Sequence, residues 1–125
     1  MIIDTDVLIW DLRGNQKAKE IIAKSMPFNI SVITYMELVQ GMQNKQELEK
    51  FFRQLKRWAV RIIQIDREIS LRAMFYVEEF FLGYSMELAD ALIAATTVES
   101  KDILLTANDK HYKHIPNIQI QKFIP

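Results

Sequence analysis

Several acidic or amide side chains stand directly after apolar runs. "MIID" ends in Asp4, "ISVI" is followed by "TYMEL" with Glu37, and "ILL" is followed by "TANDKHY" with Asn108 and Asp109. Asp90 lies inside "ADALIAATTVE", flanked by Ala89, Ala91, Leu92 and Ile93. A carboxylate in such apolar company is costly without a partner. Brought together, Asp4, Glu37 and Asp90 would offer hard oxygen ligands and no sulfur. That donor set suits Mg²⁺, or Mn²⁺ in its place, rather than zinc. Carboxylates in one site repel one another unless a cation neutralises them. An ion held this way can activate a water and stabilise charge on a phosphodiester.

Simpler roles compete for the same residues. Thr34-x-x-Glu37 matches a capping box, with Thr34 as N-cap and Glu37 at the third helical position. Thr34 can also cap while Glu37 points at a metal. Asp4 could cap a helix beginning at "TDVLIW", and Asp109 could cap a short turn. Asp90 has no comparable structural explanation.

These residues need elements to carry them. "MIID" reads as a short buried strand, "DVLIWDL" as a turn or two of helix ended near Gly14, and "QKAKEIIAK" as a helix with Ala18, Ile21 and Ile22 on one face. "FNISVI" is rich in β-branched residues and reads as a strand. "TYMELVQGM" is helical, with Met36, Val39 and Leu38 as its inward candidates. Leu48, Phe51, Phe52 and Leu55 follow helical spacing over residues 45–58. "VRIIQI" is a third strand. Asp66 can cap a long helix through Phe81, with Ile69, Ala73, Tyr76, Val77 and Phe80 on one stripe and "LGY" as its break. "MELADALIAATTVES" is a further helix, "ILLT" a fourth strand and "IQIQKF" a fifth.

Strands alternating with helices predict an α/β fold with a mainly parallel central sheet of about five strands and helices on both faces. In such sheets the site lies beyond the carboxyl ends of the strands, where the acidic residues fall. The 125 residues predict one domain over 1–125. Cysteine is absent, which removes disulfides and thiolate chemistry. No apolar run approaches the roughly 18 residues of a membrane span, and the N-terminus lacks the basic region of a signal peptide. A cytoplasmic protein with no membrane partner is the expectation. The 16 basic and 16 acidic residues balance, so any nucleic-acid contact must use a local patch. Arg53, Lys56 and Arg57, with Lys50 and Arg61, could supply one along a helix. A solvated face opposite Phe51 and Phe52 accounts for the same pattern.

"IIDTDVLIW", "SVITYMELVQG", "ADALIAATTVES" and "LLTANDKHYKHIPNIQI" occur in an order and spacing that resemble a PIN-domain protein, most of all the toxins of VapBC-type toxin–antitoxin pairs. The resemblance spans almost the whole chain. It implies a compact α/β/α sandwich, an Mg²⁺-dependent endoribonuclease acting on RNA, and a homodimer neutralised by an antitoxin. It puts the acidic positions of the family on Asp4, Glu37 and Asp90, as metal ligands and catalytic groups. The fourth position falls on Asn108, where many members carry Asp and others Asn. Asn108 can bond a metal-bound water but brings no charge; Asp109 stands one residue later. His111 stands where relatives often have another Asp. Thr5 and Thr106 would be hydroxyls that orient the carboxylates, and Asp6, at a variable position, would be peripheral.

Two other readings remain open on the sequence. "DTDVL" also resembles the start of a haloacid-dehalogenase-type phosphatase, with Asp4 as nucleophile and Asp6 as general acid. A PIN-fold module that binds without catalysis is the second, supported only by Asn108. His111-x-x-His114 has metal-ligand spacing but no acidic or thiol partner placed for zinc, and reads as two loop histidines.

Overall fold

The computed structural model describes residues 1–125. Five parallel strands form one sheet in the order β3-β2-β1-β4-β5, namely β1 (Ile2–Ile3), β2 (Asn29–Ser31), β3 (Arg61–Ile63), β4 (Ile103–Thr106) and β5 (Gln119–Lys122). Six helices connect them: α1 (Thr5–Leu12), α2 (Gln16–Ser25), α3 (Val32–Gln40), α4 (Lys45–Arg57), α5 (Arg67–Tyr84) and α6 (Leu88–Glu99). The parallel α/β sandwich expected from the alternation is present.

The strands are short, yet they divide the core cleanly. Successive side chains of a strand point to opposite faces. Ile2 and Leu104 pack with Ile69, Ala73 and Tyr76 of α5 and the alanines of α6. Ile3 and Leu105 pack on the other face, with Val7, Leu8, Ile22, Leu38, Phe51 and Trp58. The small residues of α6 explain its place. Ala91, Ala94 and Ala95 are fully buried and let the helix backbone lie close to the sheet and to α5. No helix is long and apolar enough to cross a membrane.

Helix boundaries correct three expectations. Ser31 rather than Thr34 caps α3, its hydroxyl accepting from Ile33 N at 3.1 Å. Val32 and Ile33 have strand-like side chains but already belong to the helix, so the capping box at Thr34 is not formed. That earlier start also turns the helix: Thr34 and Leu38, four residues apart, face inward, whereas Met36 is exposed. The third concerns α5, which Asp66 caps as expected through Ile69 N. The helix runs through Gly83 and stops at Ser85, which takes the left-handed conformation with φ 53°. One interior glycine costs only about 1 kcal/mol. Here the rings of Phe80 and Tyr84 lie against His114 and hold the last turn in place.

Candidate active site

Asp4 follows β1 and is the N-cap of α1, so the capping and chemical readings fall on one residue. Its Oδ1 accepts from Thr5 N at 2.8 Å, and its Oδ2 accepts from the Thr106 hydroxyl at 2.8 Å. The backbone N–H of Asp4 still donates to Leu105 O, so the sheet itself fixes where this carboxylate sits. Burial, reinforced by the charge of Asp6, pushes Asp4 up to about 7, against the pull of its bonds to Thr106, Thr5 and Tyr112.

Two hydroxyls extend this centre to the other acids. Thr5 Oγ1 donates to Glu37 Oε1 at 2.8 Å and lies 3.0 Å from the Thr34 hydroxyl. A hydroxyl has one proton to give, so Thr34 must donate to Thr5 while Thr5 donates to Glu37. Buried Tyr112 reaches the second acid: its hydroxyl donates to Asp90 Oδ1 at 3.4 Å and lies close enough to Asp4 to lower the proton affinity of that carboxyl. Asp90 lies in the first turn of α6. Burial raises its proton affinity and Glu87 adds to this, while His111 and Tyr112 oppose it. Asp4, Glu37 and Asp90 are thus linked in one chain of contacts through Thr5 and Tyr112. No three His, Asp or Glu side chains converge tightly enough to hold an ion between them. Each carboxylate is turned toward a hydroxyl or amide instead.

Other sequence-selected residues separate. Thr5 donates to Glu37, and Thr106 donates to Asp4. Asn108 is exposed, makes no side-chain hydrogen bond, and only its N–H is engaged, with the Thr106 hydroxyl at 3.0 Å. Asp109 does not cap through its side chain. It opens a short 3-10 turn over Asp109–His111, where its carbonyl accepts from Tyr112 N and Lys113 N while its carboxylate pairs with Lys122 at 3.6 Å. His111 Nδ1 lies 3.5 Å from Asp90 Oδ2. His114 stacks on Tyr84 at a centroid distance of 4.2 Å, so the two histidines serve different neighbours.

Asp6 is not peripheral. Its Oδ2 accepts from Ala107 N at 3.0 Å and lies 3.4 Å from the Thr106 hydroxyl, tying α1 to the loop after β4. Its Oδ1 is buried without a hydrogen-bond partner, and burial raises its proton affinity. The sequence signal was its position: two residues after Asp4, at the start of a helix packed on β4. Tyr112 carried no periodic signal, because it sits in an irregular segment.

Arg53, Lys56 and Arg57 are exposed on α4 and do not reach the carboxylates. A groove of about 710 Å³ reaches one of them, Glu37, and runs between α1, α3 and α4 past Arg13, Lys19, Lys50 and Phe51. Arg13 and Lys19 were not singled out from the sequence, since neither belongs to a run of basic residues.

The sequence profile of the PIN domain matches residues 1–118. The chain belongs to the PIN-domain family. Solved structures agree with this PIN fold over nearly the full chain. A toxin–antitoxin complex from Klebsiella pneumoniae is 29% identical with a TM-score of 0.73, covering 94% of this chain and 93% of that one. VapBC-1 from nontypeable Haemophilus influenzae is 22% identical with a TM-score of 0.80, covering 97% and 96%. VapBC2 from Rickettsia felis, bound to a fragment of promoter DNA, is also 22% identical with a TM-score of 0.80, covering 98% of each chain. No curated protein sequence matches. The family match sets aside the phosphatase reading of "DTDVL". In this PIN domain the donor set of Asp4, Glu37 and Asp90 is oxygen only, and a buried carboxylate oxygen of Asp6 lacks any proton donor. Both features suit a hard divalent cation.

Proposed function

We infer that the chain is a metal-dependent endoribonuclease and the toxin of a toxin–antitoxin pair. The observation that carries this reading is the buried carboxylate of Asp4, linked by Thr5 to Glu37 and by Tyr112 to Asp90 in a PIN fold. Asp4, Glu37 and Asp90 would hold the ion, Mg²⁺ with Mn²⁺ able to substitute. That ion supplies an activated water and offsets the charge of the phosphodiester under attack.

The chain's own residues do the rest. Thr106 fixes the rotation of the Asp4 carboxylate, and Thr5 does the same for Glu37, so neither acid must be ordered when substrate arrives. The groove beside Glu37 can admit an RNA strand, with Arg13 and Lys50 to meet its phosphates, while Lys19 is paired with Asp11 in the same groove. Arg53, Lys56 and Arg57 extend the cationic surface along α4 for the more distant part of the strand. Water reaches Glu37 from solvent, whereas Asp4 is nearly sealed by the strand ends and α1.

An antitoxin partner is supported by the complexes that the fold resembles. A homodimer is supported by Met74, Phe75, Phe81, Leu82 and Leu88, apolar residues left exposed on α5 and α6. Action on cellular RNA would favour a cytoplasmic location.

The direct test is incubation of the purified chain with RNA. Cleavage is expected with Mg²⁺ or Mn²⁺, no cleavage with EDTA, and none with Ca²⁺, whose longer and looser coordination positions water poorly. Cleavage that survives EDTA would contradict the reading.

A further inference from the structure

His114 is enclosed in a way that no hydrogen bond accounts for. Its ring stacks on Tyr84 of α5 at a centroid distance of 4.2 Å, 5° from parallel, and meets Phe80 at 4.8 Å and 67°. Both ring nitrogens are buried and neither has a hydrogen-bond partner, although the residue as a whole is only half-buried. A neutral imidazole carries one N–H and one acceptor nitrogen, so this packing serves neither. We propose that His114 is a proton-operated latch: neutral, it closes the last turn of α5 onto the segment after β4 that carries Tyr112 to Asp90; protonated, it leaves the stack and releases both.

The second proton decides the matter. It gives the ring another N–H and a full charge. In a near-parallel stack both N–H groups lie in the ring plane and point past Tyr84, whose face attracts a cation but accepts no in-plane hydrogen bond. Phe80 offers at most a ring face, a weak acceptor. A buried N–H without an acceptor is penalised, and a buried charge without a counter-ion more so. Tyr84 touches the ring. Tyr76 and Glu79 of α5, Glu87 ahead of α6, and His111 and Lys113 of its own segment are the titratable groups closest along the packed elements. None of them supplies a compensating charge, and burial is the one cause that lowers the proton affinity of His114. The stack therefore keeps the neutral ring, and water takes the cation.

What the latch joins gives it an effect. Phe80 and Tyr84 belong to the last turn of α5, which closes with Ser85 N donating to Phe81 O. Tyr112 stands two residues before His114, donates to Asp90, and accepts from Ile115 N through its carbonyl. Mild acid thus loosens the Asp90 side of the acidic cleft and leaves the bond of Thr5 to Glu37 alone. The latch needs neither metal nor RNA.

Nuclear magnetic resonance of the purified chain in EDTA, from pH 7.5 to 5.5, tests this through the histidine ring signals and the exchange protection of backbone amides. The His114 ring should titrate below its ordinary value of 6.5. A released ring regains that ordinary value, so protection of the Ser85 and Ile115 amides should fall about tenfold over this range. His114→Phe keeps a flat ring with no proton to take up, and should hold its protection at both ends. His111→Ala removes the other of the two histidines and should still show the fall. Asp4 also titrates in this range but is present in every variant, so the difference between wild type and His114→Phe belongs to His114. Protection unchanged with pH in wild type, or an equal fall in His114→Phe, would overturn the latch. Should His114→Phe fail to fold, a wild-type His114 ring that titrates at 6.5 or above overturns it instead. RNA cleavage enters none of these readings, so the latch and the nuclease reading fail separately.

Discussion

The two sides of the acidic cleft are built differently. On the side of β1 and α3, each acid is held by a partner fixed in regular structure: both oxygens of Asp4 by Thr5 and Thr106, Oε1 of Glu37 by Thr5, and Thr5 by Thr34. On the side of the loop after β4, Asn108 is exposed and Asp109 pairs outward with Lys122. One side is oriented by internal hydrogen bonds, and on the other Asn108 and Asp109 turn away from the acids. Binding energy is conserved where groups are already ordered, so the first side should dominate affinity and rate and the second should tune selectivity.

The sharpest way to break this contrast is to remove charges from the ordered side. Asp4→Asn should abolish metal-dependent RNA cleavage with the fold retained, and so should Asp90→Asn on α6, whose carboxylate faces Tyr112 and His111 of the segment after β4. Glu37→Gln should do the same. With the capping box at Thr34 absent, activity loss with little change in melting temperature is expected. A large drop in melting temperature with activity preserved would return Glu37 to a structural role.

A smaller effect is expected from the hydroxyls. Thr5→Val deletes the bridge between Thr34 and Glu37 without changing size, and should weaken metal binding by about 10–100-fold in calorimetric titration. An unchanged affinity would show that Glu37 needs no orientation.

The metal-free protein offers a pH test of the same side. Folded Asp4 keeps its proton up to about pH 7, whereas the unfolded chain releases it near 3.8. The folded state thus binds more protons between these values. The contribution of Asp4 to stability is present below about pH 4 and is lost as the pH rises toward 7. Thermal melts in EDTA should show this fall, and Asp4→Asn should reduce it, leaving the part that Asp6 and Asp90, also raised by burial, contribute with the same sign. A metal-free melt that rises across the same window in wild type and not in Asp4→Asn would contradict the buried, desolvated state of this carboxylate.

The smallest effects belong to the loop. Asp109→Asn removes a partly exposed ion pair with Lys122, worth about 0–1 kcal/mol. Melting temperature should scarcely move and metal binding should stay. If Asp109→Asn abolished metal binding, the loop would be the ordered side and the comparison would be reversed.

Much of this was legible in the sequence because the fold is built from short alternating runs. Ile2, Ile3, Leu104 and Leu105 announce buried strands, and Asp4 stands where such a strand must end. Asp90 was legible because a charge among alanines needs a reason. The start of α3 was not, since Val32 and Ile33 fit a strand by side chain and only the packing of Thr34 and Leu38 against the core decides for helix. Asp6 was misjudged for a related reason. Its partners, Ala107 N and the Thr106 hydroxyl, lie about a hundred positions away and meet it only through the pairing of β1 with β4. The engagement of Asp109 by Lys122 likewise depends on β5 lying beside β4.

The central claim is that Asp4 anchors a metal-dependent ribonuclease centre. Its most direct measurement is the rate at which purified wild type and Asp4→Asn, shown by circular dichroism to be folded alike, cut a labelled RNA in Mg²⁺. Wild type should cleave and Asp4→Asn should leave the RNA intact at every Mg²⁺ concentration. Equal rates in the two proteins would contradict the account.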